Sequence, residues 1–129
     1  MQQFGEDYWI PRDFELPGMR RATHRIEDCT IPAQGEESDA VDLRGYGIIG
    51  LILPTLTACN LTFETSEIET GTYVPIHDNT GAAELIAAGT GDRGIAADDL
   101  SFLDAYRWVK VIPSEAQGAE RILHFIVKG

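Results

Sequence analysis

The sequence lacks several features that would each point to a function. No stretch carries the apolar spacing of a long amphipathic helix, and there is no internal repeat or low-complexity segment. A helical bundle, a solenoid and a coiled coil are therefore excluded. The longest apolar run, Ile48 to Pro54, is far short of the ~20 residues a membrane-spanning helix needs. Cysteine is scarce: Cys29 and Cys59 are the only two, with no CxxC or Cys/His spacing that would hold zinc. They read as two small buried residues in a reducing compartment rather than as a disulfide. Basic residues are few, 10 Lys and Arg against 21 Asp and Glu, for a formal net charge of -11. That excludes a basic stripe for nucleic acid and attraction to an anionic membrane, while favouring solubility and docking on a basic partner face. The opening Met1-Gln-Gln-Phe-Gly-Glu-Asp has neither the basic nor the apolar region of a secretory signal, so synthesis in a cytoplasm is expected.

What the chain does have is a series of short apolar segments closed by turn residues, the signature of an all-β sandwich or barrel. Its 129 residues and 43% hydrophobic content suit one domain with a real core, preceded by a tail. Residues 22–129 form the expected β-sandwich domain. The first strand, Ala22 to Ile31, alternates imperfectly and belongs at an edge. Val41 and Leu43 point inward from a short strand. Ile48 to Leu53 is apolar on both faces and reads as a central buried strand, with Gly50 admitting a close neighbour. A separate strand places Leu61, Phe63 and Thr65 inward, and Pro75 makes Tyr73–Ile76 an edge. Asp78-Asn-Thr-Gly81 is a turn. Glu84–Ala88 and the segment from Gly94 read as two weak strands around a Gly-Thr-Gly-Asp loop. Asp98 to Tyr106 predicts a helical turn or two, capped by Asp98, with Leu100, Leu103 and Tyr106 on one face. Trp108, Lys110 and Ile112 oppose Val109 and Val111, and Ile122, His124 and Ile126 oppose Leu123, Phe125 and Val127.

Residues 1–21 differ from the body. Phe4, Tyr8, Trp9, Ile10, Phe14 and Leu16 are broken by Pro11 and Pro17, without helical or alternating period. The prolines favour an extended path. Such an arm either straps onto its own domain or buries its aromatics on a neighbouring subunit or partner.

Candidate chemistry is sparse. His24 and His124 fall on strands at opposite ends of the chain that can pair, yet lone strand histidines ordinarily serve a neighbouring carboxylate or hydroxyl. Asp78, Asn79, Asp92, Asp98 and Asp99 are oxygen ligands a calcium loop would use, but turn and cap chemistry explains Asp78 and Asp98 as well. Trp9, Trp108, Tyr46, Tyr73 and Tyr106 are the aromatics a sugar platform would use; the plainer reading puts Trp108 and Tyr106 in the core. No nucleophile elbow or phosphate-binding glycine loop is present. No enzyme activity, cofactor or metal is expected, and no catalytic residue is assigned.

One resemblance reaches further. Ile31-Pro-Ala, Ser38-Asp-Ala-Val-Asp-Leu-Arg-Gly45, Ile48-Ile-Gly-Leu-Ile-Leu-Pro-Thr, Leu61-Thr-Phe-Glu-Thr-Ser, Tyr73-Val-Pro-Ile-His-Asp-Asn-Thr-Gly, Tyr106-Arg-Trp-Val-Lys-Val and Gln117-Gly-Ala-Glu-Arg-Ile-Leu follow one another in order. From Ile31 to about Lys128 this resembles small virion structural proteins of tailed bacteriophages, which look like jelly-roll or discoidin-like sandwiches. The resemblance implies a virion location after synthesis in the host cytoplasm, most naturally as a capsid decoration or cement protein. The major capsid protein or other virion proteins would be its partners, and a homo-oligomer is expected. A neck, tail or head-fibre component and a glycan- or receptor-binding module are the alternatives. The resemblance carries no site residues, so the expected partner-binding set is the arm. Deleting residues 1–21 is expected to weaken assembly while the body keeps a cooperative thermal melt. Loss of that melt would make the arm an internal strap.

Overall fold

The computed structural model describes residues 24–44 and 47–128, so the arm residues Phe4, Tyr8, Trp9, Ile10, Phe14 and Leu16 lie outside the described part. The described chain is all-β: β1 (His24–Ile31), β2 (Val41–Asp42), β3 (Gly47–Ser66), β4 (Val74–Pro75), β5 (Leu85–Ala96), β6 (Trp108–Pro113) and β7 (Arg121–Lys128). All pairings are antiparallel. The strands run in the order β1-β7-β3-β6-β2, with β4 and β5 on the other side of β3. The result is a β-sandwich nearly closed into a barrel.

β3 organises this arrangement. Two strands were expected at Ile48–Leu53 and Leu61–Thr65; they are the halves of one strand twenty residues long. Its first half pairs with β7 through Gly50↔Ile126 and Ile52↔His124. Its second half pairs with β6 through Leu61↔Pro113 and Thr65↔Val109. A strand that changes partners midway must bend from one layer into the other. β5 follows it around the corner, with irregular register between Thr55 and Leu61. The two weak strands expected around a loop are therefore this single bent strand. Gly91 sits at the corner with φ +75, and a Cβ there would fall 1.9 Å from the Pro54 carbonyl oxygen. The close approach assigned to Gly50 belongs to Gly91 instead: a Cβ on Gly50 meets its neighbours only at ordinary contact distance.

The bend is held by a buried side chain that no apolar pattern announces. Gln117 is 0% exposed. Its Oε1 accepts the Thr57 N–H (2.8 Å), and its Nε2 donates to the Thr57 carbonyl (3.1 Å) and the Glu115 carbonyl (3.0 Å). Arg121 Nε also donates to Oε1, at 3.3 Å, and the Gln34 N–H donates to the Gln117 carbonyl at 2.9 Å. One amide thus supplies the ladder partners that β3 loses while crossing between layers.

A second polar stitch closes the far edge. The Ser38 N–H donates to the Val111 carbonyl (2.8 Å), and the Val111 N–H returns a bond to Ser38 Oγ (2.8 Å). Next door, the Asp39 N–H donates to the Thr30 carbonyl (3.0 Å), while Asp39 Oδ1 accepts the Thr30 N–H (2.8 Å). Residues 38–39 thereby tie β1 to β6. Among the described strands β1 is otherwise an edge strand, as expected, pairing only with β7.

Inside lie Phe63, Phe125, Leu51, Leu61, Leu123, Val109 and Val111, all essentially inaccessible. Val41, Leu43 and Cys29 join them, as expected, and so does Ile31. Both cysteines are free and buried, and burial pushes the Cys29 thiol up to about 12, which keeps it inert. The expected helix is a pair of 3-10 turns, Ala97–Asp99 and Ser101–Leu103, which drive Leu100 and Leu103 into one end of the core. Phe102 meets Phe63 edge to face at 5.3 Å. Asp98 does not cap: the residue before the first turn is Ala96, and no side chain bonds there.

Replacing Gln117 with Leu keeps the volume but strips the bend of its partners. A loss of about 2 kcal/mol is expected, read as a lower urea midpoint at unchanged slope.

Candidate functional site

The two layers present different outer faces. On the β1-β7-β3 layer, register puts Ile26, Ile126, Gly50 and Ala96 in one row across four strands. The next row is Asp28, His124, Ile52 and Gly94, and Thr30 pairs with Ile122 beyond it. Ile26 is 62% exposed, Ile52 43% and Ile122 40%. This corrects the reading of Ile48–Leu53 as buried on both faces. Leu51 and Leu53 are inside, but Ile52 faces out. Isoleucine suits a strand on either face, so its β-propensity cannot tell a covered face from an open one.

At the centre of this face, Nδ1 of His124 lies 2.6 Å from Oδ1 of Asp28. The cross-strand partner expected for a lone strand histidine is this carboxylate. His24 is in register with Lys128, at the end of the same sheet, and does not join His124. Near this face Asp28 is the only carboxylate on the two central rows, in a chain with 21 acidic residues.

The other outer face, on β2, β6, β3 and β4, is charged and aromatic. Lys110 Nζ bonds Glu37 Oε2 at 2.9 Å and stands 4.5 Å from the Tyr73 ring centroid. Glu64 is its cross-strand neighbour. Lys110 holds the Glu37 carboxyl below its ordinary range, while burial and the adjacent Glu37 push Glu64 up. Burial pushes Asp42 up as well, but Arg107 and Arg44 override it and hold its carboxyl low. Trp108 is half-buried on this face, not in the core, with the Arg107 guanidinium 5.4 Å from its ring centroid. Tyr106 does pack against the core. Trp108 and Tyr73 each carry a cation over the ring, which competes with a sugar for that ring. Trp9 and Tyr46 lie outside the described residues.

Two open grooves flank these faces. One, of about 790 Å3, is lined by Ile68, Val74, Tyr106 and Arg107. The other, of about 770 Å3, runs along β5 beside Arg93, Asp98 and Phe102. Arg93 does not face that groove as a free cation: it donates to the Ala87 carbonyl (2.5 Å) and the Ala88 carbonyl (2.9 Å) of its own strand.

The carboxylates weighed as calcium ligands are scattered. Asp78 closes its own turn, accepting the Thr80 hydroxyl (2.6 Å), the Thr80 N–H (2.8 Å) and the Ala82 N–H (3.1 Å), which hold its carboxyl low. Asp92 accepts the Thr55 hydroxyl at 2.8 Å across the bend. Among the described residues, no three His, Cys, Asp or Glu side chains gather as a metal site.

The isoleucine face is the feature sequence reasoning missed. Its signal was the apolar outward set Ile26, Ile52, Ile122 and Ile126, legible once register is known.

A raised carboxyl favours folding in its protonated form, so its contribution is full below the ordinary carboxylate value and is lost as pH rises through the raised one. Glu64→Gln, neutral throughout, is expected to be more stable than wild type by about 0.5 kcal/mol at pH 7, the modest size reflecting partial exposure. The difference should close below about pH 4, measured by thermal melts across pH. No family model matches this chain, and neither a curated protein nor a solved structure matches it.

Proposed function

We propose that this chain is a non-enzymatic structural protein of a tailed-bacteriophage particle, a capsid decoration or cement protein that stabilises the head by bridging capsid subunits. The observation that carries this reading is the isoleucine face: a chain of net charge -11 that keeps one sheet face almost free of acid and leaves Ile26, Ile52 and Ile122 in water. A solitary soluble domain gains nothing from such a patch, whereas a protein that assembles uses it as a contact surface. Fully covering each of these side chains is worth up to ~1.5–3 kcal/mol before ordering costs.

The resemblance to phage virion proteins supplies the partner, the major capsid protein or another virion protein. The body supplies what a bridging protein needs: a rigid core, free buried thiols that do not cross-link, and acid on the remaining surface for solubility at high copy number. The arm residues Phe4, Tyr8, Trp9, Ile10, Phe14 and Leu16 would add a second contact, and linked weak contacts reinforce one another on a repeating shell.

Copy number in purified particles, measured by quantitative mass spectrometry against the major capsid protein, tests the reading. Hundreds of copies are expected, because a shell repeats each contact around its symmetry. A few dozen or fewer would move the protein to the neck, tail or fibres. Absence from the particle would remove the virion role.

A further inference from the structure

We propose that the isoleucine face binds a second copy of this chain, sheet against sheet, about a two-fold axis that lies between the two faces and runs along the strands between β7 and β3. The inference deepens the preceding reading and rests on it only in treating this face as a contact surface.

The face is divided lengthwise into a ridge and a trough. The ridge is β1 and β7, with Ile26, Ile122, Ile126 and the Asp28–His124 pair. The trough is the β3–β5 side, where the same rows carry Gly50, Gly94 and Ala96 around one large residue, Ile52. The ends of β5 and the Gly94 position are exposed, and a Cβ added at Gly94 would meet nothing nearer than the Leu51 carbonyl oxygen at 4.0 Å. An axis along the strands between β7 and β3 exchanges the columns. Ile26 of one copy then stands over Ala96 of the other, and Asp28 over Gly94. Ile26, Asp28 and Ile126 thus meet the small residues Ala96, Gly94 and Gly50, while Ile52 meets His124, and the rotation repeats each contact in both directions, as an isologous contact requires.

Charge agrees with the same axis. Strand ends keep their level under this rotation, so like ends meet. At one end, His24 and Lys128 close the β1 and β7 columns, and the β5 column continues into Asp98 and Asp99 of the 3-10 turn. The rotation sets Lys128 and His24 of one copy towards Asp98 and Asp99 of the other. It sets no carboxylate of the two central rows against another.

Size fixes how strong the contact is. Four strands at ~4.8 Å spacing and about 20 Å of strand length give roughly 400 Å2 per copy, near 800 Å2 for the pair. Stable dimers bury about 1,200–2,000 Å2, so an area this small fits a weak, transient dimer. A surface lattice, where neighbours are held at high local concentration, is where such a contact fills.

Sedimentation equilibrium of the full chain from about 10 µM to about 1 mM tests the proposal. A monomer–dimer equilibrium is expected. Ile26→Asp on the ridge and Ala96→Arg in the trough should each weaken it at least tenfold, with the thermal melt unchanged, because both positions are exposed. Ile26→Thr, which keeps β-branching, is the milder ridge variant should the aspartate disturb folding, and it should weaken the dimer in the same direction. A wild type that stays monomeric to about 1 mM overturns the proposal and gives the face to another occupant, the capsid shell or residues 1–23 of the same chain. A dimer that survives both substitutions also overturns it, placing the contact elsewhere. The particle measurement separates the two readings. Abundant copies of a monomeric protein leave the virion role standing without this dimer, and a dimer absent from particles leaves this dimer without the virion role.

Discussion

The bend at the middle of β3 is the constraint from which the other strands take their places, and a single buried amide holds it. A twenty-residue strand in one layer would leave an open, twisted sheet with one face of its core uncovered. By turning near Thr57, β3 lends its first half to β7 and its second to β6, and the two halves face each other across Phe63, Phe125 and Leu51. The turn costs ladder hydrogen bonds, and Gln117 replaces them from the loop before β7. An apolar residue of the same size would fill the space and leave the Thr57 backbone without those partners, which is why a polar side chain with 0% exposure is found there.

The bend also decides how the surface is divided. One layer faces out with isoleucine, glycine and alanine, the other mainly with Glu37, Glu64, Lys110, Asp42 and Arg107, with Val74 and Ile68 exposed at its β4 edge. On the charged side, ion pairs and cation–ring contacts consume the functional groups locally: Lys110 is engaged by Glu37 and Tyr73, Arg107 by Asp42 and Trp108. On the apolar side, among the described residues, His124 and Asp28 engage each other. Exposed apolar area suits a contact surface, and the proposal of an assembling protein rests on that contrast.

Several elements were legible before any coordinates. The alternation in Leu61–Thr65, in Val109 and Val111, and in Leu123, Phe125 and Val127 gave the inward faces because a strand has a period of two and the core takes one side. Pro75 marked an edge, and Asp78-Asn-Thr-Gly81 a turn, because each has a local backbone reason. The misreadings share a different cause. Gly89, Gly91 and Asp92 have positive φ, which in isolation signals a loop. Here they let β5 follow a neighbour around a corner, and that neighbour is thirty or more residues away in the chain. Asp98 had the composition of a cap, but a 3-10 turn docked by Leu100 and Leu103 needs no cap.

By itself, then, the sequence determined that the domain is all-β, which faces of β6, β7 and the second half of β3 turn inward, and that the chain is strongly acidic. Those properties rest on periodicity, local backbone preference and composition, and none requires knowing what lies opposite. The tertiary structure alone decided that two apparent strands are one, that Gln117 is buried, that His124 meets Asp28, and that Ile26, Ile52 and Ile122 stand together in water. Each of these depends on register between segments distant in the chain. Register is set by the sum of many pairings and one bend, and no short window of residues contains that sum.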